Sequence, residues 1–99
     1  MKLLTKALEK RFKQVGSQEA VGENAVVLAK FFTPDSNWTW YASEYDPRTK
    51  TFFGLVDGFE KEYGYFNLDE LESVRGALGL PIERDLYFSE ATLKEIGKS

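Results

Sequence analysis

Trp38-Thr39-Trp40-Tyr41-Ala42-Ser43-Glu44-Tyr45 is the stretch on which the fold turns. Side chains of an extended chain point alternately to its two sides. On that period Trp38, Trp40 and Ala42 share one side with Glu44, while Thr39, Tyr41, Ser43 and Tyr45 share the other. An aromatic ring buries roughly 150–250 Å², which places the indoles in a core. Tyrosine gives rigid contact area with a polar tip and suits a binding surface. The reading is a strand over Trp38–Tyr45 with its tryptophans inward and Tyr41 and Tyr45 presented to solvent.

The flanks extend this into a sheet. Asp46–Lys50 turns the chain into a strand over Thr51–Val56. Asp57-Gly58 is a two-residue hairpin signal, which returns a strand over Phe59–Phe66 with Val56 opposite Phe59 and Phe52 near Tyr63. Gly54 and Gly64 fall inside strands, where glycine marks a bulge or a close backbone approach. Upstream, Thr33-Pro34-Asp35-Ser36-Asn37 is a turn, because proline fixes φ and the short polar side chains bond back to local backbone. Before it, Ala25–Phe32 reads as a strand with little alternation, hence central or covered on both faces.

Helical signals bracket these strands. Leu4, Leu8, Phe12 and Val15 form one stripe, so a helix is expected over Thr5–Val15, with Thr5 as N-cap, Gly16 as its stop and a loop over residues 17–24. Asn67 with Glu70 forms a capping box, and Phe66 can pack on Leu71 as a staple. The stripe Leu68, Leu71, Val74 and Leu78 then carries a second helix to Gly79-Leu80-Pro81. Ile82–Phe88 is a short extended piece, and Thr92 with Glu95 caps a last helical turn ending at Gly97. The expected class is α+β: an antiparallel sheet of about four to five strands packed with two main helices and a short C-terminal helix. At 99 residues this is a single globular domain over 1–99.

Composition removes much chemistry. The chain has neither cysteine nor histidine. Disulfides, thiol nucleophiles, Ser–His–Asp triads and zinc sites built on those ligands are therefore excluded. No GxGxxG or GxxxxGK[ST] phosphate loop occurs, no cofactor is expected, and no segment approaches the ~20 apolar residues of a spanning helix. Lys6, Glu9, Lys10 and Arg11 interrupt any apolar leader, and neither terminus carries a lipidation signal, so the expected location is the cytoplasm, without a membrane partner. Formal net charge is −3. Residues 1–13 carry five bases, Lys2, Lys6, Lys10, Arg11 and Lys13, and one acid, Glu9, whereas nine acids and three bases lie within 35–72. An acidic domain repels phosphates, which disfavours direct nucleic-acid binding and points to a protein partner.

Three longer strings carry a resemblance: FFTPDSNWTWYASEYD, FFGLVDGFEKEYGYFNLDEL and GLPIERDLYF. With them the chain, from Met1 to about Phe88, resembles the bacterial family catalogued as domain of unknown function 2958. Residues 9–24 share no such pattern. The family is uncharacterised and common on plasmids, integrated elements and phage-like regions. The resemblance implies an accessory role on mobile DNA and supplies no catalytic residue.

Four clusters merit attention as sites. Tyr41 and Tyr45 form the presented face, and Asp35 sits in a turn beside it. Glu83-Arg84-Asp85 is a polar cluster in which Arg84 is expected to ion-pair, with Glu44 as the partner. Asp35, Glu44, Glu83 and Asp85 are the carboxylates available for acid–base or divalent-metal chemistry. The favoured function is a small non-enzymatic binding protein, with a phosphate-mimicking acidic inhibitor of a nucleic-acid-handling protein as its sharper form. The alternative is a carboxylate-based hydrolase or nuclease, which needs two of those acids in one cleft. A homodimer pairing an exposed sheet edge is the third possibility.

Overall fold

The computed structural model describes residues 2–98, so Met1, where the resemblance begins, and Ser99 lie outside the described residues. The alternating run becomes β3 (Thr39–Asp46), the centre of a five-stranded antiparallel sheet. Its neighbours are β2 (Ala29–Phe32) and β4 (Thr51–Asp57), and the edges are β5 (Lys61–Asn67) and β6 (Glu83–Arg84), in the order β5-β4-β3-β2-β6. A second, two-stranded sheet pairs β1 (Val26–Val27) with β7 (Ala91–Thr92). The helices are α1 (Lys6–Val15), α2 (Leu68–Ser73) and α3 (Leu93–Gly97), which makes the fold α+β as expected.

Local chemistry sets the helix starts. The Thr5 hydroxyl accepts the Leu8 N–H at 3.1 Å, and the Asn67 side-chain oxygen accepts those of Asp69 and Glu70 at 2.9 and 3.2 Å. Thr92 and Glu95 close a reciprocal capping box. Residues 17–24 hold a 3-10 turn over Glu19–Asn24 in place of an open loop.

Both sheet faces are partly covered. On the first, Phe31, Trp40, Ala42, Phe52 and Phe66 pack against Phe12 of α1, Leu68 and Leu71 of α2, and Leu3, Leu4 and Ile82. On the second, Leu55 packs with Ala25, Val27, Leu93 and Ile96, and Tyr41 and Phe88 close over them. The strand expected over Ala25–Phe32 breaks at Leu28, because its first residues leave the main sheet to pair with β7 under α3.

The face assignment of the central strand needs correction. The β3–β4 register shifts between Ala42 and Glu44, so Ser43 is an extra residue. A bulge of this kind moves every later side chain to the opposite face. Tyr45 therefore joins Trp40 and Ala42 on the core side, with its ring 4.7 Å from Phe52 and 6.0 Å from Phe12. Glu44 turns outward, opposite Phe53. Tyr41 keeps its face, but that face is roofed by Phe88 at 6.5 Å between ring centroids. The indoles do point inward: Trp40 is buried, and Trp38 stacks on it at 6.0 Å while staying half-buried.

The β4–β5 hairpin also departs from expectation. Asp57 pairs with Lys61, Val56 with Glu62 and Phe52 with Phe66, leaving a three-residue loop, Gly58-Phe59-Glu60. A tertiary contact overrides the local turn preference. A Cβ on Gly58 would stand 2.2 Å from the Trp38 ring, and the Phe59 ring meets Trp38 edge-on at 5.3 Å. The second helix stops at Ser73, short of Leu78. Arg75 bridges Pro81, and the Gly76 N–H donates to the Leu80 carbonyl at 2.9 Å, so a small hairpin replaces the last turn and Val74 and Leu78 face solvent.

Candidate functional site

A concavity lies beside the bulge. Pairing of β2 with β3 stops at Ala29 opposite Ala42, so among the described residues Glu44, Tyr45 and Asp46 have a strand partner on the β4 side alone. Beside that tail runs α1, and a groove of about 970 Å³ lies between them. Lys6, Lys10 and Lys13 recur at spacings of four and three, which puts them on one helix face. They form one wall with Glu9; Glu44 and Asp46 stand on the other, with Tyr45, Phe53 and Tyr65 as its aromatic lining. Phe53 and Tyr65 meet edge-on at 5.1 Å, and Tyr65 is 74% exposed.

Gln18 fixes the bulge that shapes the groove. Its amide nitrogen donates to the carbonyls of Ser43 at 2.7 Å and Val26 at 2.9 Å, and its oxygen accepts the Val26 N–H at 2.7 Å. This buried side chain thus stands in for the strand that β3 lacks there. The Ser43 hydroxyl adds a bond to the Phe53 carbonyl at 3.1 Å. The charges on the groove wall are tuned by local contacts. Burial, and after it Glu9, Asp69, Asp46 and Glu72, raise the Tyr45 phenol above its ordinary value, so it stays neutral and able to donate. The Arg48 backbone N–H, then its guanidinium, hold the Asp46 carboxyl below its ordinary value.

The expected site residues separate into three places. Glu44 and Tyr45 line the groove. Asp35 sits in the β2–β3 turn, where one carboxylate oxygen accepts the Leu78 and Leu80 N–H groups at 2.7 and 3.3 Å. Its other oxygen is buried against Gly76. Asp35 thus ties down the 75–81 hairpin. Glu83, Arg84 and Asp85 lie at the β6 edge: Glu83 opposite Phe32, Arg84 opposite Phe31, and the Asp85 carboxylate 3.6 Å from the Lys30 ammonium. Lys30 in turn lies 5.8 Å from the centre of the Tyr41 ring, which ties Tyr41 to this edge.

The expected Arg84–Glu44 pair does not form. Phe31 faces both Arg84 and Trp40, and Glu44 is four residues farther along β3, roughly 13 Å at the rise of a strand. Arg84 donates instead to the Leu3 carbonyl at 3.3 Å. The four carboxylates do not converge either. The groove holds Glu44 without the other three, and a shallower depression beside Trp38 and Lys30 holds Asp85. Among the described residues no three acidic side chains are grouped to hold a metal ion.

Sequence reasoning missed Phe53, Tyr65 and Gln18. The lysine spacing on the flank of the apolar stripe was the readable signal for one wall; nothing local marks Gln18 as a strand surrogate. No helix among the described residues is long and apolar enough to cross a membrane. No curated protein and no solved structure matches the chain. A family model does match, over residues 3–95, which span the whole main sheet, α1, α2 and the start of α3, and by it the chain belongs to the family described as protein of unknown function, DUF2958.

Proposed function

We propose that this chain is a non-enzymatic interaction module whose groove between α1 and the tail of β3 receives a short extended segment of a partner protein. One observation carries this reading: the strand tail lacking a second neighbour is the same segment that lies between a lysine row and an aromatic lining. A segment laid along that tail meets backbone groups for pairing, lysines for its acidic residues and rings for its apolar ones. The carboxylate hydrolase gains no comparable support, because the groove holds Glu44 alone of its four acids and the depression beside Trp38 holds Asp85 alone. Phosphate mimicry gains little, since Asp35 is taken up by backbone N–H groups, Asp46 and Asp69 face Arg48 and Lys50, and other acids lie on α2 and around the β4–β5 loop. An accessory role on mobile DNA suits a module that works by occupying another protein.

Affinity capture from host lysate tests the proposal. Lys10 and Lys13 are exposed, so Lys10→Glu with Lys13→Glu leaves the melting temperature nearly unchanged. A partner retained by the parent chain and lost by this variant supports the groove. Equal capture by both refutes it.

A further inference from the structure

The two edges of the main sheet are treated differently. β6 is two residues long and closely follows Pro81, so it offers almost no ladder. β5 spans seven residues without proline, and its register with β4 runs unbroken from Thr51 opposite Asn67 to Asp57 opposite Lys61. Among the described residues no strand lies on its outer side. Proteins avoid long, regular, open edges because the row of N–H and C=O groups templates pairing with another chain. Tyr63 and Tyr65 stand on this edge, 53% and 74% exposed.

We infer that β5 pairs antiparallel with β5 of a second copy, about a two-fold axis through Gly64, to give one continuous ten-stranded sheet. The sequence of the strand selects the occupant and the register. With Gly64 opposite Gly64, all seven residues pair, and each side chain stays on its own face, since partners differ by an even number. Tyr63 then meets the other copy's Tyr65, and Tyr65 its Tyr63, extending the edge-on Phe53–Tyr65 pair into an aromatic row across the axis. Lys61 falls opposite Asn67 and Glu62 opposite Phe66, so the charged ends of the two strands lie apart instead of facing each other. The axis passes through a residue with no side chain, and a Cβ there would meet nothing within 4 Å of its own chain. A seven-residue ladder is a small contact, at the low end for specific association, so the pairing is weak and concentration-dependent. The two-fold contact shares Tyr65 with the aromatic lining of the groove but none of its lysines, so the Lys10→Glu, Lys13→Glu variant tests the groove while leaving this edge intact.

Sedimentation velocity on the intact chain, from about 1 to 500 μM to bracket such a weak association, reads the assembly directly. The expected result is a shift from 11.3 kDa toward twice that mass. The variant Tyr63→Lys with Tyr65→Lys places like charges across the axis and stays monomeric, with unchanged circular dichroism. Register is read by cysteine cross-linking, which is clean because the chain has no cysteine. Gly64→Cys is expected to form a disulfide dimer about tenfold faster than Tyr63→Cys or Tyr65→Cys, whose copies sit on a diagonal too long for a relaxed disulfide. Lys94→Cys, exposed on α3, serves as the background. A parent chain monomeric at every concentration overturns the inference, as does a Gly64→Cys rate no higher than that of Lys94→Cys. Should Gly64→Cys fail to fold, the parent and the double-lysine variant still decide.

Discussion

Trp40 and Tyr45 lie five residues apart on one strand and point into the same core, which a regular extended chain forbids. The two halves of β3 explain this. From Thr39 to Ala42 the strand is paired on both sides, by β2 and β4, and alternates as its sequence suggests. From Glu44 to Asp46 it is paired on one side and runs one residue out of phase. The first half is structural on both faces, with Trp40 under α1 and α2 and Tyr41 under Phe88. The second borders the groove. A single extra residue, Ser43, separates a stretch that holds the fold together from one that leaves backbone and rings available.

Truncation on each side of Ser43 should break this comparison with the largest effect. Trp40→Ala removes a buried indole and is expected to lower stability by about 3–5 kcal/mol. Tyr45→Ala, at a half-buried ring against Phe12 and Phe52, should cost about 2 kcal/mol. Urea unfolding measures both. A Tyr45→Ala variant as stable as the parent would mean that the phenol faces solvent and that the strand keeps its phase through Ser43.

The glycine pair sharpens the same point. Gly54 and Gly64 stand directly opposite each other on β4 and β5. A Cβ on Gly54 would come 1.8 Å from the Tyr41 carbonyl oxygen, beside the bulge, whereas one on Gly64 meets open space. Backbone must move in the first case, so Gly54→Ala is expected to destabilise by about 3 kcal/mol or more, and Gly64→Ala by well under 1 kcal/mol. Comparable melting temperatures for the two alanine variants would show that the sheet does not pinch at Gly54.

Gln18→Ala tests what holds the bulge. The amide serves two carbonyls and one N–H around Val26 and Ser43, and its loss leaves them without that partner in a largely dry site. The expected cost is about 1–3 kcal/mol. Amide hydrogen exchange should quicken at Val26 while Tyr41 stays protected; uniform loss of protection would mean that the two halves of β3 open together.

These contrasts also mark what the sequence made legible. The helix starts were written locally, in Thr5, Asn67 and Thr92 with Glu95, because a cap needs only a side chain and the backbone two or three residues on. The strands and the inward tryptophans followed from alternation. The phase slip did not, since Ser43 is an ordinary strand residue and its cause, Gln18, lies 25 positions away. The β4–β5 register failed for the same kind of reason: Gly58 yields to Trp38, a contact that no local turn rule contains. The second helix ended early because a distant carboxylate, Asp35, ties down a hairpin in its place. Of the expected site, Glu44 and Tyr45 reached the groove, by way of a bulge that the alternation concealed.

The smallest effect concerns the cover over the regular half of β3. Leu93 and Ile96 of α3 pack in the cluster that includes Leu55 and Tyr41, and α3 begins at the Thr92–Glu95 box. The Thr92 backbone N–H, then its hydroxyl, hold the Glu95 carboxyl below its ordinary value of 4.5. A carboxyl depressed in the fold adds stability that is complete above its unfolded value and is lost as pH falls through the folded one. The melting-temperature gap between the parent chain and Glu95→Gln should therefore be constant from neutral pH down to about 5 and close as pH drops through 4 toward 3. Because α3 covers Tyr41 and not Tyr45, hydrogen exchange over Trp40–Ala42 should quicken in the variant while that of Tyr45 and Asp46 stays as it was. A gap that persists unchanged at pH 3 would assign the stability to something other than the charge on Glu95, and a response at Tyr45 would join the two halves that the bulge keeps apart.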